Sequence, residues 1–168
     1  SIFFDFRALS GNASLLKPLR DYVVKQAQAT PRFIKLLTEN SLHWKVPFNW
    51  FGSLETKELD GKKIIDIKMQ GTAIVVDAAR IYSLAHGIAA VNTRERLAAV
   101  GRALNVSEAE SMGWIASFEY LQTLRLAAQI DGHAIGGNPN AVDVEQLNSV
   151  DKTILRESLS KVRNLQQQ

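Results

Sequence analysis

The chain has 168 residues and a mass of 18.6 kDa, the length of one ordinary domain. It has no cysteine, which excludes a disulfide scaffold, a zinc–thiolate centre and a thiol nucleophile. Hydrophobic residues make up 46%, too many for a disordered chain, yet no run approaches the ~18 apolar residues of a membrane span. Lys and Arg number 20 against 17 Asp and Glu, a net of +3. Residues 1–50 hold 7 basic and 3 acidic groups, whereas residues 101–168 hold 6 and 8. The mildly basic N-terminal end suits a phosphate-bearing ligand. It lacks the dense basic stripe with stacking aromatics of a nucleic-acid domain. The opening run IFFDF has no basic leader and no cleavage site, so it is not expected to be a signal peptide. The expectation is one domain, residues 1–168, cut from a longer cytoplasmic polypeptide.

In chain order, Ile2 to Arg7 reads as a short strand or extended lead-in, and Gly11-Asn12 as a turn. Leu15, Leu16, Leu19, Tyr22 and Val23 predict a helix from Ala13 to about Gln28, which tolerates Pro18 only near its start. Thr30-Pro31 predicts an N-cap followed by Pro at the first helical position, with Phe33, Ile34 and Leu37 on one face. Residues 44–63 read as a loop with a hairpin turning at Asp60-Gly61. Ile64 to Lys68 reads as its second strand. Trp44, Phe48, Trp50 and Phe51 imply that this loop packs down.

Gly71 to His86 predicts a helix lined by Ile74, Ala78, Ile81 and Ala85, with Gly87 as its C-cap. Thr93 is the expected cap of a short helix bearing Leu97 and Val100. Ser107 to Glu110 forms a capping box opening the longest helix, to about Asp131. A wide apolar arc of Trp114, Phe118, Leu121 and Ala128 places that helix centrally. After a loop from Gly132 to Asn140, Ser149 is the expected cap of a last helix bearing Leu155, Leu159 and Val162. The fold class is therefore all-α: a bundle of five or six helices with a small extended or hairpin insertion near residues 44–68.

No phosphate-binding glycine loop, dinucleotide fingerprint or helical zinc motif occurs. His43, His86 and His133 are isolated from one another. Gly52-Ser53 could open a two-metal transferase site, but no Asp-x-Asp pair follows, and Asp66-Ile67-Lys68 puts Lys in place of the second acid. A free-standing transferase or phosphohydrolase is thus disfavoured. Three polar pairs remain. Asp5 and Arg7 would share a face of an extended segment, where Arg can fork onto a phosphate. Asp66 and Lys68 have the same spacing, and Asp77 and Arg80 lie one helical turn apart. Arg125 falls inside the apolar arc beside Gln122 and Gln129. A charge there needs a partner or a ligand, and Asp77 and Asp66 are the expected partners.

The stretches FFDFR (3–7), IDIKMQGTAIVVDAARIYSLAHGI (65–88), TRERL (93–97), FEYLQTLRLAAQ (118–129) and LRESLSKVRNLQ (155–166) carry a resemblance. In order and spacing the chain resembles the nucleotidyltransferase substrate-binding domain. That helical domain follows a nucleotidyltransferase domain in bacterial signalling proteins that also carry cyclic-nucleotide-binding and CBS modules. The resemblance implies an upstream catalytic domain similar to the uridylyltransferase that modifies the PII protein, with Mg²⁺ and a nucleoside triphosphate as its cofactors and a protein as one candidate acceptor. It implies no cofactor in this chain itself, and neither nucleic acid nor membrane as partner. The polar positions it carries over are Asp5, Arg7, Asp66, Lys68, Asp77, Arg80, Arg125 and Gln129. Gly137-Asn138-Pro139-Asn140 departs from the family's Pro-x-Asn pattern, which leaves contacts from that loop outside the expectation. The competing expectation is a non-catalytic module that relays a signal from upstream ligand-binding modules.

Overall fold

The computed structural model describes residues 2–131 and 134–168, and the side chains from Phe4 onward within those ranges. His133 lies outside the described residues. The protein is all-α in class, with six α-helices and one small three-stranded sheet among the described residues. It divides into two compact units, residues 1–43 with 76–112 and residues 44–75 with 113–168. No helix among the described residues is long and apolar enough to cross a membrane.

The first unit opens with a 3₁₀ turn, Ile2–Asp5, where the sequence predicts a short strand or extended lead-in. Its hydrogen bonds are local, so Asp5 and Arg7 do not alternate along an extended segment. Asn12 caps a second 3₁₀ turn, Ala13–Leu15, which leads into α1, Leu16–Gln28. Pro18 falls in the first turn of α1, where its missing N–H costs nothing. Pro31 occupies the first turn of α2, Pro31–Ser41, but the Thr30 side chain caps nothing there. Its hydroxyl donates instead to the Gln26 carbonyl at 2.8 Å. Val24 and Ala27 of α1 bury against Leu84, with Phe4, Phe33, Ile34 and Leu37 packed around them. The helical spacing of these apolar residues is what makes that cluster possible.

Leu84 belongs to α3, Ala73–Ala85, whose end is closed by Gly87 at φ +69°. The Ile88 N–H reaches back to the Ser83 carbonyl at 2.8 Å, the long bond of a Schellman cap. The cap of α4, Thr93–Ala103, is Asn92 and not Thr93. Its side-chain oxygen accepts from the Arg94 and Glu95 N–H groups. An amide oxygen one residue ahead of the helix reaches both free donors, which the Thr93 hydroxyl, already inside the first turn, does not.

In the second unit β1, Lys57–Leu59, and β2, Lys62–Asp66, form the expected hairpin. Its turn places Asp60 at φ 53° and Gly61 at φ 70°, the paired left-handed residues of a type I′ turn. A third strand, β3, Ala141–Asp143, pairs antiparallel with β2 and was not legible in the sequence. Residues Lys68–Thr72 form a π-type turn that leads into α3. The Ser107 hydroxyl accepts the Glu110 N–H at 3.1 Å, as a capping box requires. It opens α5, Glu108–Ile130. Asn148, not Ser149, caps α6, Ser149–Gln166, by accepting the Asp151 N–H at 2.9 Å.

Ile65, Ile67, Trp114, Leu121, Leu155, Leu159 and Leu165 are the buried centre of this unit. Gly71 sits where a Cβ would meet Leu121 at 3.4 Å and Leu159 at 3.6 Å, so its lack of a side chain permits that packing.

The aromatic loop is not packed down as the sequence suggested. Trp50 is 96% exposed and Phe51 89%. Trp44, 44% exposed, and Phe48 are partly covered, Phe48 with the Arg163 guanidinium 4.5 Å from its ring centre. Polar bonds, not ring burial, order the turn: the Asn49 side-chain oxygen accepts the Phe51 and Ser53 N–H groups at 3.0 and 2.9 Å. Gly52 closes the turn at φ +75°.

Candidate functional site

The eight residues singled out in the sequence fall into two separate groupings and two isolated positions. In the first unit, Arg80 of α3 pairs with Asp77, one turn earlier, at 2.5 Å and with Asp5 at 2.6 Å. Arg96 of α4, not anticipated from sequence, also binds Asp5 at 2.6 Å. Its Nε donates to the Ala90 carbonyl at 2.8 Å. The Arg80 and Arg96 side chains are only 5% and 3% exposed. Two guanidinium groups thus meet two carboxylates and balance them in charge. Burial pushes the Asp5 carboxyl up, but hydrogen bonds and charge from Arg80 and Arg96 outweigh it and hold the group below 3.8. The grouping ties the opening turn to α3 and α4 through groups that would be costly to bury unpaired. Arg7 is exposed, with no hydrogen bond or ion pair among the described residues.

The second unit gathers Asp66, Arg125 and Gln129 through two asparagines. Asp66 ends β2, two residues before the π-type turn. Its Oδ1 accepts the Met69 N–H at 2.9 Å, and its own N–H donates to Gln70 Oε1 at 3.0 Å. Its Oδ2 accepts Asn138 Nδ2 at 2.7 Å. Asn138 Oδ1 accepts the Asn140 N–H at 2.9 Å, an Asx turn across Pro139. Asn140 Oδ1 in turn accepts Arg125 Nε at 2.7 Å and Gln129 Nε2 at 3.1 Å, from successive turns of α5. The Asn140 carbonyl is held by the Ile67 N–H at 3.0 Å, which pins this relay to the sheet.

The partner of Arg125 is therefore Asn140 and neither expected carboxylate. Asp66 stands two links further along, and Asp77 is taken by Arg80. The apolar arc does not enclose Arg125, which is half-buried, and the neighbouring Leu126 is exposed. Among the described residues Arg125 is engaged through Nε alone, so its two terminal nitrogens remain donors toward an anion. Lys68 is exposed in the first position of the π-type turn, two residues beyond Asp66. Gln70 belongs to the site although sequence reasoning passed over it, and so do Asn138 and Asn140, whose loop the sequence reading had left outside the expected contacts. Two asparagines flanking Pro139 were the available signal, since such residues bond their own backbone in turns. Among the described residues no group of three or more His, Cys, Asp or Glu is placed to hold a metal ion.

Removing the shared acceptor isolates the relay's weight. Asn140→Ala should cost about 1–3 kcal/mol, because the Arg125 Nε–H and the Gln129 amide lose their shared acceptor, whereas the backbone N–H at position 140 still reaches Asn138. Urea unfolding of the variant beside the parent chain measures it.

These features define a helical domain with an ordered arginine–amide cluster at the junction of α5, the sheet and the loop before β3. Residues 31–168 match the family described as Putative nucleotidyltransferase substrate binding domain. The chain belongs to that family. Asp5 and Arg7 precede the matched region. No curated protein and no solved structure matches the chain.

Proposed function

We propose that this chain is a substrate-binding domain serving a nucleotidyltransferase domain that precedes it in the same cytoplasmic polypeptide. The catalytic domain holds Mg²⁺ and the nucleoside triphosphate. This domain supplies side chains that grip an anionic part of the nucleotide or of the acceptor. The observation that carries the reading is Arg125, fixed through Nε by Asn140 with Gln129 alongside, its terminal nitrogens unspent. A guanidinium oriented before the ligand arrives loses less freedom on binding and presents a fork that fits phosphate. Lys68 adds a second, exposed positive charge to the same unit. The buried Asp5–Asp77–Arg80–Arg96 grouping is structural in this account, and its guanidiniums are spent on protein groups.

A second reading is favoured by the exposed Trp50–Phe51 turn. An ordered aromatic tip of this kind suits docking to another protein domain. It fits a module that relays a signal from upstream cyclic-nucleotide-binding or CBS modules. The first reading is preferred because Arg7, Lys68 and Arg125 are not consumed in buried ion pairs, as a purely structural or docking role would have them.

On this account the chain alone transfers no nucleotide, because the acids that would bind two metal ions are supplied by the other domain. Incubation with labelled UTP or ATP, Mg²⁺ and candidate acceptor proteins should leave every acceptor unlabelled. Turnover that copurifies with this chain overturns the proposal.

A further inference from the structure

A groove of about 630 Å³ opens in the second unit between the sheet and α5. That volume falls within the ~300–1,000 Å³ of small-molecule sites. The strand register defines its sheet side. Ile64 of β2 pairs with Asp143 of β3, and Asp66 with Ala141. Directly opposed residues share a face, as do residues two apart along one strand. Lys62, Ala141 and Asp143 therefore belong to one face, and all three line the groove. Leu124 and Ala128 of α5, with Ile135 and Leu147, supply apolar lining.

Three polar groups in this lining have bonding capacity left over. Asp143 Oδ1 accepts the Glu145 N–H at 3.1 Å, which orients the carboxylate. Its Oδ2 has no partner among the described residues. The Lys62 ammonium and the Gln146 side-chain amide make no hydrogen bond or ion pair among the described residues. Lys62 and Asp143 are diagonal neighbours in the sheet, a relation of about 7–8 Å between backbones, yet they do not bridge each other. Both are half-buried, and charges there interact more strongly than in open water. The other charged groups close by are already engaged. Lys63 and Glu145 pair at 2.7 Å, and Asp131 has an interaction of its own.

We infer that this groove binds a free α-amino acid with an apolar side chain. The ligand carboxylate meets Lys62, its ammonium meets Asp143 Oδ2, and its side chain lies against Leu124 and Ala128. A cation and an anion held apart on one face match a zwitterion, whereas a simple anion or a simple cation leaves one of them unmatched. The small side chains of Ala128 and Ala141 leave room for a branched or aromatic group. The Gln146 amide supplies a further donor or acceptor. An apolar cleft with a few convergent polar groups is the usual form of such a site. Arg125 and Gln129 are not among the groove's lining residues, so the inference goes beyond nucleotide binding and does not depend on it.

The probes are leucine and phenylalanine, each titrated into the chain to about 10 mM and followed by backbone amide chemical shifts. At least one should bind saturably, with the largest shifts at Lys62, Asp143 and Gln146. Glycine, which lacks the side chain, should bind at least about tenfold more weakly. Blocking either charge of the better ligand, by N-acetylation or by conversion to the carboxamide, should also weaken it at least about tenfold. Lys62→Met and Asp143→Asn should each do the same. Asp143→Asn keeps an oxygen for the Glu145 N–H, so the turn that follows retains its cap. Absence of saturable binding by both amino acids overturns the inference. So does parent-like affinity of glycine, of the N-acetyl derivative or of the carboxamide, none of which needs a variant to fold. Parent-like affinity in folded Lys62→Met or Asp143→Asn overturns it as well.

Discussion

Replacing Arg96 with methionine lowers the unfolding free energy by about 2–4 kcal/mol. The substitution keeps much of the volume of a side chain that is 3% exposed, so lost packing is a small part of the loss. What remains is an Asp5 carboxylate deprived of one of two partners, and the Ala90 carbonyl deprived of its donor. Breaking one side of a fully buried pair costs about 3–5 kcal/mol. Asp5 is 28% exposed, so water recovers part of that. Arg80→Met belongs to the same range, since it leaves Asp77 without its arginine and Asp5 with one of two. Guanidinium denaturation followed by helical circular dichroism, with hydrogen exchange reporting on α3 and α4, gives both values.

The same grouping sets an acid limit on stability. The folded-state carboxyl of Asp5 lies below its ordinary value of 3.8. Its stabilising contribution is therefore complete above the unfolded value and is lost as pH falls through the lowered one. Asp5→Asn should flatten that part of the acid limb.

Helices were legible because their signals are local and repeat. The spacing of Phe33, Ile34 and Leu37 marked a face that packs inward, and Ser107-Glu108-Ala109-Glu110 carried its own capping chemistry. The buried face of α1 is not the expected one: Leu15, Leu19 and Tyr22 are exposed, and Val24 and Ala27 bury against Leu84 instead. Caps at Asn92 and Asn148 were displaced by one residue because Thr93 and Ser149 are also competent cap residues. Strand β3 was missed for a different reason. Three residues, Ala-Val-Asp, are too few to show a period of two, and they join the sheet only through the distant β2. The aromatic loop misled because ring content suggests burial, whereas Asn49 and Gly52 order this turn through the backbone.

For the site, residue types were legible and partners were not. Arg125 stood out by its helical phase, and Asp66 by its two-residue spacing from Lys68. Neither property reveals Asn138 and Asn140, which reach them from a loop 72 and 15 residues away in sequence. Asp5 likewise meets Arg96 and Arg80 across long separations, one of them 75 residues. Long-range polar contacts leave no periodic trace in a sequence.

Arg125→Met is the contrast to Arg96→Met and carries the largest functional effect. Its partner is a neutral amide that keeps its bond to Gln129, so no buried charge is left unmatched. Stability should fall by only about 1 kcal/mol. Loss of a forked phosphate contact should weaken ligand binding by at least about tenfold, as charge-assisted pairs do. Arg125→Lys should restore only part of the affinity, since an ammonium supplies the charge without the fork.

The most direct test is a calorimetric titration of the polypeptide containing both this domain and the nucleotidyltransferase domain with Mg²⁺-bound UTP and ATP. Parent, Arg125→Met and Asp5→Asn forms are compared. If this domain grips an anionic part of the nucleotide, the parent binds one of the two saturably, Arg125→Met binds it at least about tenfold more weakly, and Asp5→Asn binds as the parent does. Parent-like affinity in Arg125→Met, with its fold intact, contradicts the assignment of the arginine–amide cluster to nucleotide binding.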